Sequence, residues 1–138
     1  MQFVAKLTKE EVGGYSVEFP DLDGCFTEGD SLEEALKNAK EALELTLMDV
    51  FDGEPVPVSK TKANEKKGFY AIDVSPAMSV AMTVLEARGK RSQREMANIM
   101  GMRLQAYQRL ENPKSNLSLK MLQRIADVFG KKLVVSMV

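Results

Sequence analysis

The chain has 138 residues, 44% hydrophobic and 28% charged, which gives enough apolar material for a packed core and excludes a disordered or fibrous class. One cysteine and no histidine exclude an internal disulfide and the usual zinc-ligand sets, so no cofactor is expected, although metal held by carboxylates alone stays open. The formal charge of −1 hides two unlike halves: residues 1–75 carry 8 lysines and no arginine against 16 carboxylates, a net −8, and residues 76–138 carry 11 basic residues against 4 acids, a net +7.

Such asymmetry points to a nucleic-acid-facing part joined to something different. No apolar run reaches bilayer length, and MQFVAKLTKEE lacks the apolar centre of a signal peptide, so the expected compartment is the cytoplasm.

FVAKL and YSVEF are strand candidates joined through Gly13-Gly14; Tyr15, Val17 and Phe19 alternate with Ser16 and Glu18 as one packed and one wet face require. Pro20 and Gly24 mark turns, and Cys25 to Thr27 supplies a short third strand. A helix then begins at Ser31, with Glu34 completing a capping box, and its stripe Leu32, Leu36, Ala39, Leu43, Leu47 and Val50 carries it to about Phe51. Asp52 to Lys67 reads as a long internal loop, because GFYAIDV after it is a strand that needs the same sheet. The first domain therefore covers residues 1–74 and the second residues 75–138, with Pro76 at a first helical position.

In the second domain Met78, Ala81, Met82 and Leu85 give one helix its apolar face, ended by Gly89. Ser92 and Glu95 form a second capping box; Met96, Ala97 and Met100 point inward, Gly101 breaks the run, and a helix from about Arg103 places Tyr107 and Leu110 inward. Two helices joined by a tight turn read as a helix-turn-helix. Ser118 caps a last helix with Leu119, Leu122, Ile125, Ala126 and Phe129 inward. The tail KKLVVSMV reads as a strand without a neighbour in its own domain; two copies are expected to pair there as a homodimer, with larger assemblies left open, and the alternative is that it folds back on its own helices.

The outward side chains suit DNA. Gln105, Gln108 and Arg109 are the candidate base readers and Leu104 a candidate for a thymine methyl. Gln93, Arg103, Lys114 and Asn116 are candidates for the phosphate backbone. Each is also an ordinary surface residue, and Arg109 alternatively pairs with Glu95 or another nearby acid.

Two stretches carry a family resemblance. Ser92-Gln93, Glu95-Met96-Ala97, Gly101 and Arg109-Leu110-Glu111 resemble the Xre/Cro-type helix-turn-helix repressors, departing from that pattern at Asn112-Pro113. The run from Tyr15 to Gly29, followed by SLEEALKNAKEAL, resembles the HicB antitoxins. The resemblance implies an α+β protein: a small antiparallel sheet with one covering helix, partial RNase-H-like, followed by an all-helical helix-turn-helix domain with a C-terminal strand. It also implies a partner, a HicA-type ribonuclease toxin neutralised by the first domain, and operator DNA bound by the second to repress the chain's own operon. The family's toxin is thought to use a histidine, which this chain lacks.

An acidic domain can compete for the basic surface a ribonuclease needs. Asp21, Leu22, Asp23, Phe26, Glu28 and Asp30 are the candidate toxin contacts, with Phe26 as core and the acids as a solvated edge as the alternative reading. Two other functions stay open. One is a regulator whose first domain senses a small ligand; the other is a metal-dependent nuclease built on Asp21, Asp23, Glu28, Asp30 and Asp73.

Overall fold

A computed structural model describes residues 1–137. Its chain forms two compact units, Met1–Ser75 and one beginning at Pro76. The first contains β1 (Gln2–Lys9), β2 (Tyr15–Glu18), β3 (Phe26–Gly29), α1 (Leu32–Leu47) and β4 (Phe69–Asp73). The sheet is antiparallel throughout, in the order β3-β2-β1-β4.

Alternation assigns the two faces of this sheet. Register pairs Phe3 with Ile72, Ala5 with Tyr70 and Leu7 with Val17; Phe3, Ala5, Leu7, Val17 and Ile72 are buried and form the inner face. Across them lies α1, burying Ala35, Ala39, Leu43 and Leu47, four residues at a spacing of four. Leu43 is wholly buried, an environment that stabilises by about 1.5–3 kcal/mol per large apolar side chain. The helix starts where the hydroxyl of Ser31 accepts from the Glu34 amide at 3.1 Å and the Glu34 carboxylate accepts from the Asp30 amide at 3.1 Å. It ends earlier than its apolar stripe suggests, passing at Met48 into a 3₁₀ turn through Asp52.

Two expectations for this unit change. The third strand runs from Phe26 to Gly29 rather than from Cys25 to Thr27, because Cys25 is packed inward, its Sγ 3.5 Å from the Ala42 carbonyl, and burial pushes its thiol pKa up. Leu32, at the first turn of α1, is exposed instead of joining the stripe.

The loop before β4 is held by Asp21. Its carboxylate accepts from the Lys60 and Thr61 amides, each at 2.8 Å, and from the Thr61 hydroxyl at 3.0 Å. The Thr61 amide, followed by that of Lys60 and the Thr61 hydroxyl, holds the Asp21 pKa below its ordinary value against the opposing effect of burial. A lowered folded pKa stabilises the clamped state above the unfolded value of about 3.9 and is lost as pH falls through the folded pKa. Protection of the Lys60 and Thr61 amides from hydrogen exchange, relative to the intrinsic rate at each pH, is therefore expected to be high at neutral pH and to fall below about pH 4, with Asp21→Asn low at both.

The second unit contains α2 (Pro76–Arg88), α3 (Gln93–Met100), α4 (Leu104–Leu110) and α5 (Leu119–Val128). Val84, Met96, Ala97, Met100, Tyr107, Leu110 and Ile125 form its buried core, with Leu122 and Phe129 packed against it. The hydroxyl of Ser118 caps α5 by accepting from the Met121 amide at 3.1 Å. Leu119, expected inward, is 65% exposed because it starts the helix beyond the core.

The expected C-terminal strand is absent from the described part of the tail: residues 131–137 have no regular structure, and a strand needs a partner's hydrogen bonds. Leu133 lies half-buried in a groove with Val80, Leu122 and Ile125, while Val134, Val135 and Met137 are exposed. Among the described residues, no helix is long and apolar enough to cross a membrane.

Candidate functional site

In the second unit the candidate surface is built by the turn between α3 and α4. Ser92 caps α3 through the Glu95 amide at 3.0 Å, and Gly101 ends it at φ 65°, a conformation that costs a residue with a Cβ. The Met102 amide then donates to the Ala97 carbonyl at 2.9 Å, and the Arg124 guanidinium donates to the Met100 carbonyl, tying α5 to the turn. With Tyr107 and Leu110 inside, α4 leaves Gln105, Gln108 and Arg109 exposed side by side, and Arg103 is exposed at its start. Leu104 is half-buried; Lys114 and Asn116 are exposed in the next loop, where the Lys114 amide donates to Asn112 Oδ1 at 2.9 Å.

Behind this surface lies a cluster centred on Glu111, whose side chain is only 6% exposed. Oε2 accepts from Arg88 Nε at 2.8 Å and from the Tyr107 hydroxyl; Oε1 accepts from Arg88 Nη2 at 3.1 Å and from Gln93 Nε2 at 3.0 Å. Burial, followed by the bond to Glu111, pushes the Tyr107 pKa far above the ordinary tyrosine range. The oxygen of Gln93 then accepts from Gln108 Nε2 at 3.1 Å, so the buried ion pair is linked to an exposed residue of α4. Gln93 is thus half-buried and engaged with Glu111 and Gln108, which differs from the free backbone contact its position suggests.

The acid that meets an arginine here is Glu111, its partner is Arg88, and Arg109 makes no ion pair among the described residues. Arg88 and Glu111 lie 23 positions apart, so local spacing carried no signal for the pair. Sequence reasoning also passed over Arg94 and Lys120, both exposed; each follows closely on a helix cap, Ser92 or Ser118, and that adjacency was the available signal.

In the first unit the six candidate residues separate. Leu22 is buried and Asp21 is committed to the loop, whereas Asp23, Glu28 and Asp30 are exposed. Phe26 is 68% exposed, which overturns its reading as core. Register aligns Phe26 with Glu18, Glu18 with Lys6 and Lys6 with Phe69, a row across all four strands on the face opposite α1. Within it Lys6 Nζ sits 4.3 Å from the Phe69 ring centroid and donates to the Lys67 carbonyl at 2.9 Å. Asp73 lies on β4, the edge strand opposite β3, where Gln2 of β1 donates to it, about 14 Å from the strand of Glu28 at three interstrand spacings. Among the described residues no three His, Cys, Asp or Glu side chains gather closely enough to hold a metal ion.

Residues 3–126 match the family model described as HicB_like antitoxin of bacterial toxin-antitoxin system. The Antitoxin HicB of Escherichia coli strain K12 is 31% identical over 140 residues, covering 100% of both chains. Antitoxin HicB 1 of Photorhabdus laumondii is 30% identical over 138 residues, covering 99% of this chain and 86% of that one. Among solved structures, a chain of a HicA3 and HicB3 toxin-antitoxin complex matches at 24% identity with a TM-score of 0.44, over 55% of this chain and 100% of that chain.

Proposed function

The chain belongs to the HicB-like antitoxin family, and from that premise we propose that it binds and neutralises a HicA-type ribonuclease toxin and represses its own operon by binding operator DNA in the cytoplasm. It acts as an inhibitor and regulator, with no catalytic residue of its own. The observation that carries this reading is the coincidence of charge with architecture: the unit Met1–Ser75 holds the net −8, and the unit beginning at Pro76 holds the net +7. A ribonuclease surface that attracts polyanionic RNA attracts the first unit; the second is suited to duplex phosphate.

For the toxin arm, the strand-strand-strand-helix-strand order supports a partial RNase-H-like domain, and the docking face is the side of the sheet opposite α1. There Phe26 supplies an exposed apolar anchor beside Glu18 and Glu28, with Asp23 and Asp30 nearby in sequence. A desolvated aromatic anchor within a polar rim is how interfaces concentrate binding energy. Phe26→Ser is expected to weaken a titrated complex with a HicA-type toxin by about 2 kcal/mol, and adding Glu28→Lys to slow association at low salt. Lys37→Arg on α1, which keeps the charge, is expected to change neither.

For the DNA arm, α3 and α4 read as a helix-turn-helix with α4 in the major groove and Arg103, Lys114 and Asn116 on phosphate. Two copies are joined through the tail, an arrangement supported by the exposed Val134, Val135 and Met137. Gln105→Ala and Arg109→Ala are each expected to cost about 1–3 kcal/mol on the chain's own promoter fragment and much less on random DNA. Equal losses on both fragments would assign these residues to the backbone.

A further inference from the structure

We propose that Glu111 is a positioning residue for base reading: it sets the hydrogen-bond polarity of the Gln93–Gln108 pair, so that Gln108 presents one carbonyl oxygen and one N–H to an adenine. This inference rests on the operator reading.

A carboxylate paired with a guanidinium only accepts hydrogen bonds. Each Glu111 oxygen already takes one Arg88 N–H, and the remaining lone pairs take the Tyr107 hydroxyl and the Gln93 amide. Gln93 must therefore turn its NH₂ inward and its oxygen outward. An outward oxygen accepts, so Gln108 turns its own NH₂ toward Gln93, at 3.1 Å. One direction of donation thus runs from Gln108 through Gln93 to Glu111.

What remains on Gln108 is its carbonyl oxygen and its second N–H. That acceptor and donor match the N6 amino group and N7 of adenine in the major groove. If both amides flip, Gln108 gives its oxygen to Gln93 and faces the groove with two N–H donors, which match O6 and N7 of guanine instead. Glu111 forbids the flip, because it has no proton to offer a Gln93 oxygen. An ion pair as buried as Arg88–Glu111 adds little stability over a well-packed apolar pair, so specificity is the more productive use of it.

The test uses the full chain and duplexes selected from a randomised library, followed by equilibrium binding with each base at each position. The wild-type chain is expected to prefer adenine over guanine at one position per half-site by roughly tenfold, the size of one good two-bond base contact. Glu111→Gln, whose new amide can donate to Gln93, is expected to reduce that preference to about twofold or less while leaving other positions and the salt dependence unchanged. Gln108→Ala removes the same preference, and combining it with Glu111→Gln removes nothing more.

Gln93→Met breaks the relay with the Arg88–Glu111 pair intact and keeps the test decisive should Glu111→Gln not fold. It is expected to erase the same adenine preference. A folded Gln93→Met chain that keeps the preference, or loses affinity equally at every position, overturns the proposal. A wild-type chain with no preferred sequence overturns the operator reading, and this inference with it.

Discussion

Arg88→Ala is expected to destabilise the unit beginning at Pro76 by about 3–5 kcal/mol, the cost of leaving a buried charge without its partner. The stranded group is Glu111, whose side chain is 6% exposed and which receives two guanidinium bonds at 2.8 and 3.1 Å. Its neighbours donate neutral bonds and cannot replace the positive charge. Urea unfolding read by hydrogen exchange of the α3 and α4 amides measures the loss for this unit alone. The double replacement Arg88→Met with Glu111→Leu is expected to recover most of the stability, since it removes both charges together. A double variant as unstable as the single one would show that packing around these side chains, not the charge, sets the cost.

Gly29→Ala is expected to be nearly as damaging, at about 3 kcal/mol, the upper range for overpacking a close-packed core. A Cβ at this buried position would lie 2.4 Å from the Ala35 amide nitrogen and 2.6 Å from the Ala35 Cα. Both are backbone atoms of α1, so no flexible side chain can move aside; the helix must lift from β3. Reduced thermal stability of the Met1–Ser75 unit and weaker toxin binding should appear together, with DNA binding unchanged. Wild-type stability in Gly29→Ala would mean that α1 does not approach the sheet this closely.

Close approach also explains which parts of the fold were legible. Ser31 with Glu34 and Ser92 with Glu95 announce their helices because each N-cap serine and the amide its hydroxyl accepts from lie within four residues; the glutamates answer with the Asp30 amide and the Ser92 hydroxyl, not with the N-cap amides. The β1–β2 hairpin was equally local. At β3, however, period two alone could not say which face was buried: Thr27 and Gly29 face α1, and the larger Phe26 and Glu28 face away. Size misled there, because the helix needs small residues opposite it.

The site shows the same division. Inward Tyr107 and outward Gln105, Gln108 and Arg109 followed from helical spacing. The bonds from Gln93 to Glu111 and from Asp21 to Thr61 join residues 18 and 40 positions apart, and spacing has no reach over such distances. For the tail, the apolar run Leu133-Val134-Val135 supplied the strand pattern but not the partner that a strand requires.

Co-expression of this chain with the product of the gene adjacent to its own, scored by growth and by copurification, tests the antitoxin role most directly. The neighbour alone should arrest growth, and the two together should restore it and copurify as one complex. A neighbour that is harmless alone, or one that remains toxic and fails to copurify with this chain, would contradict the role.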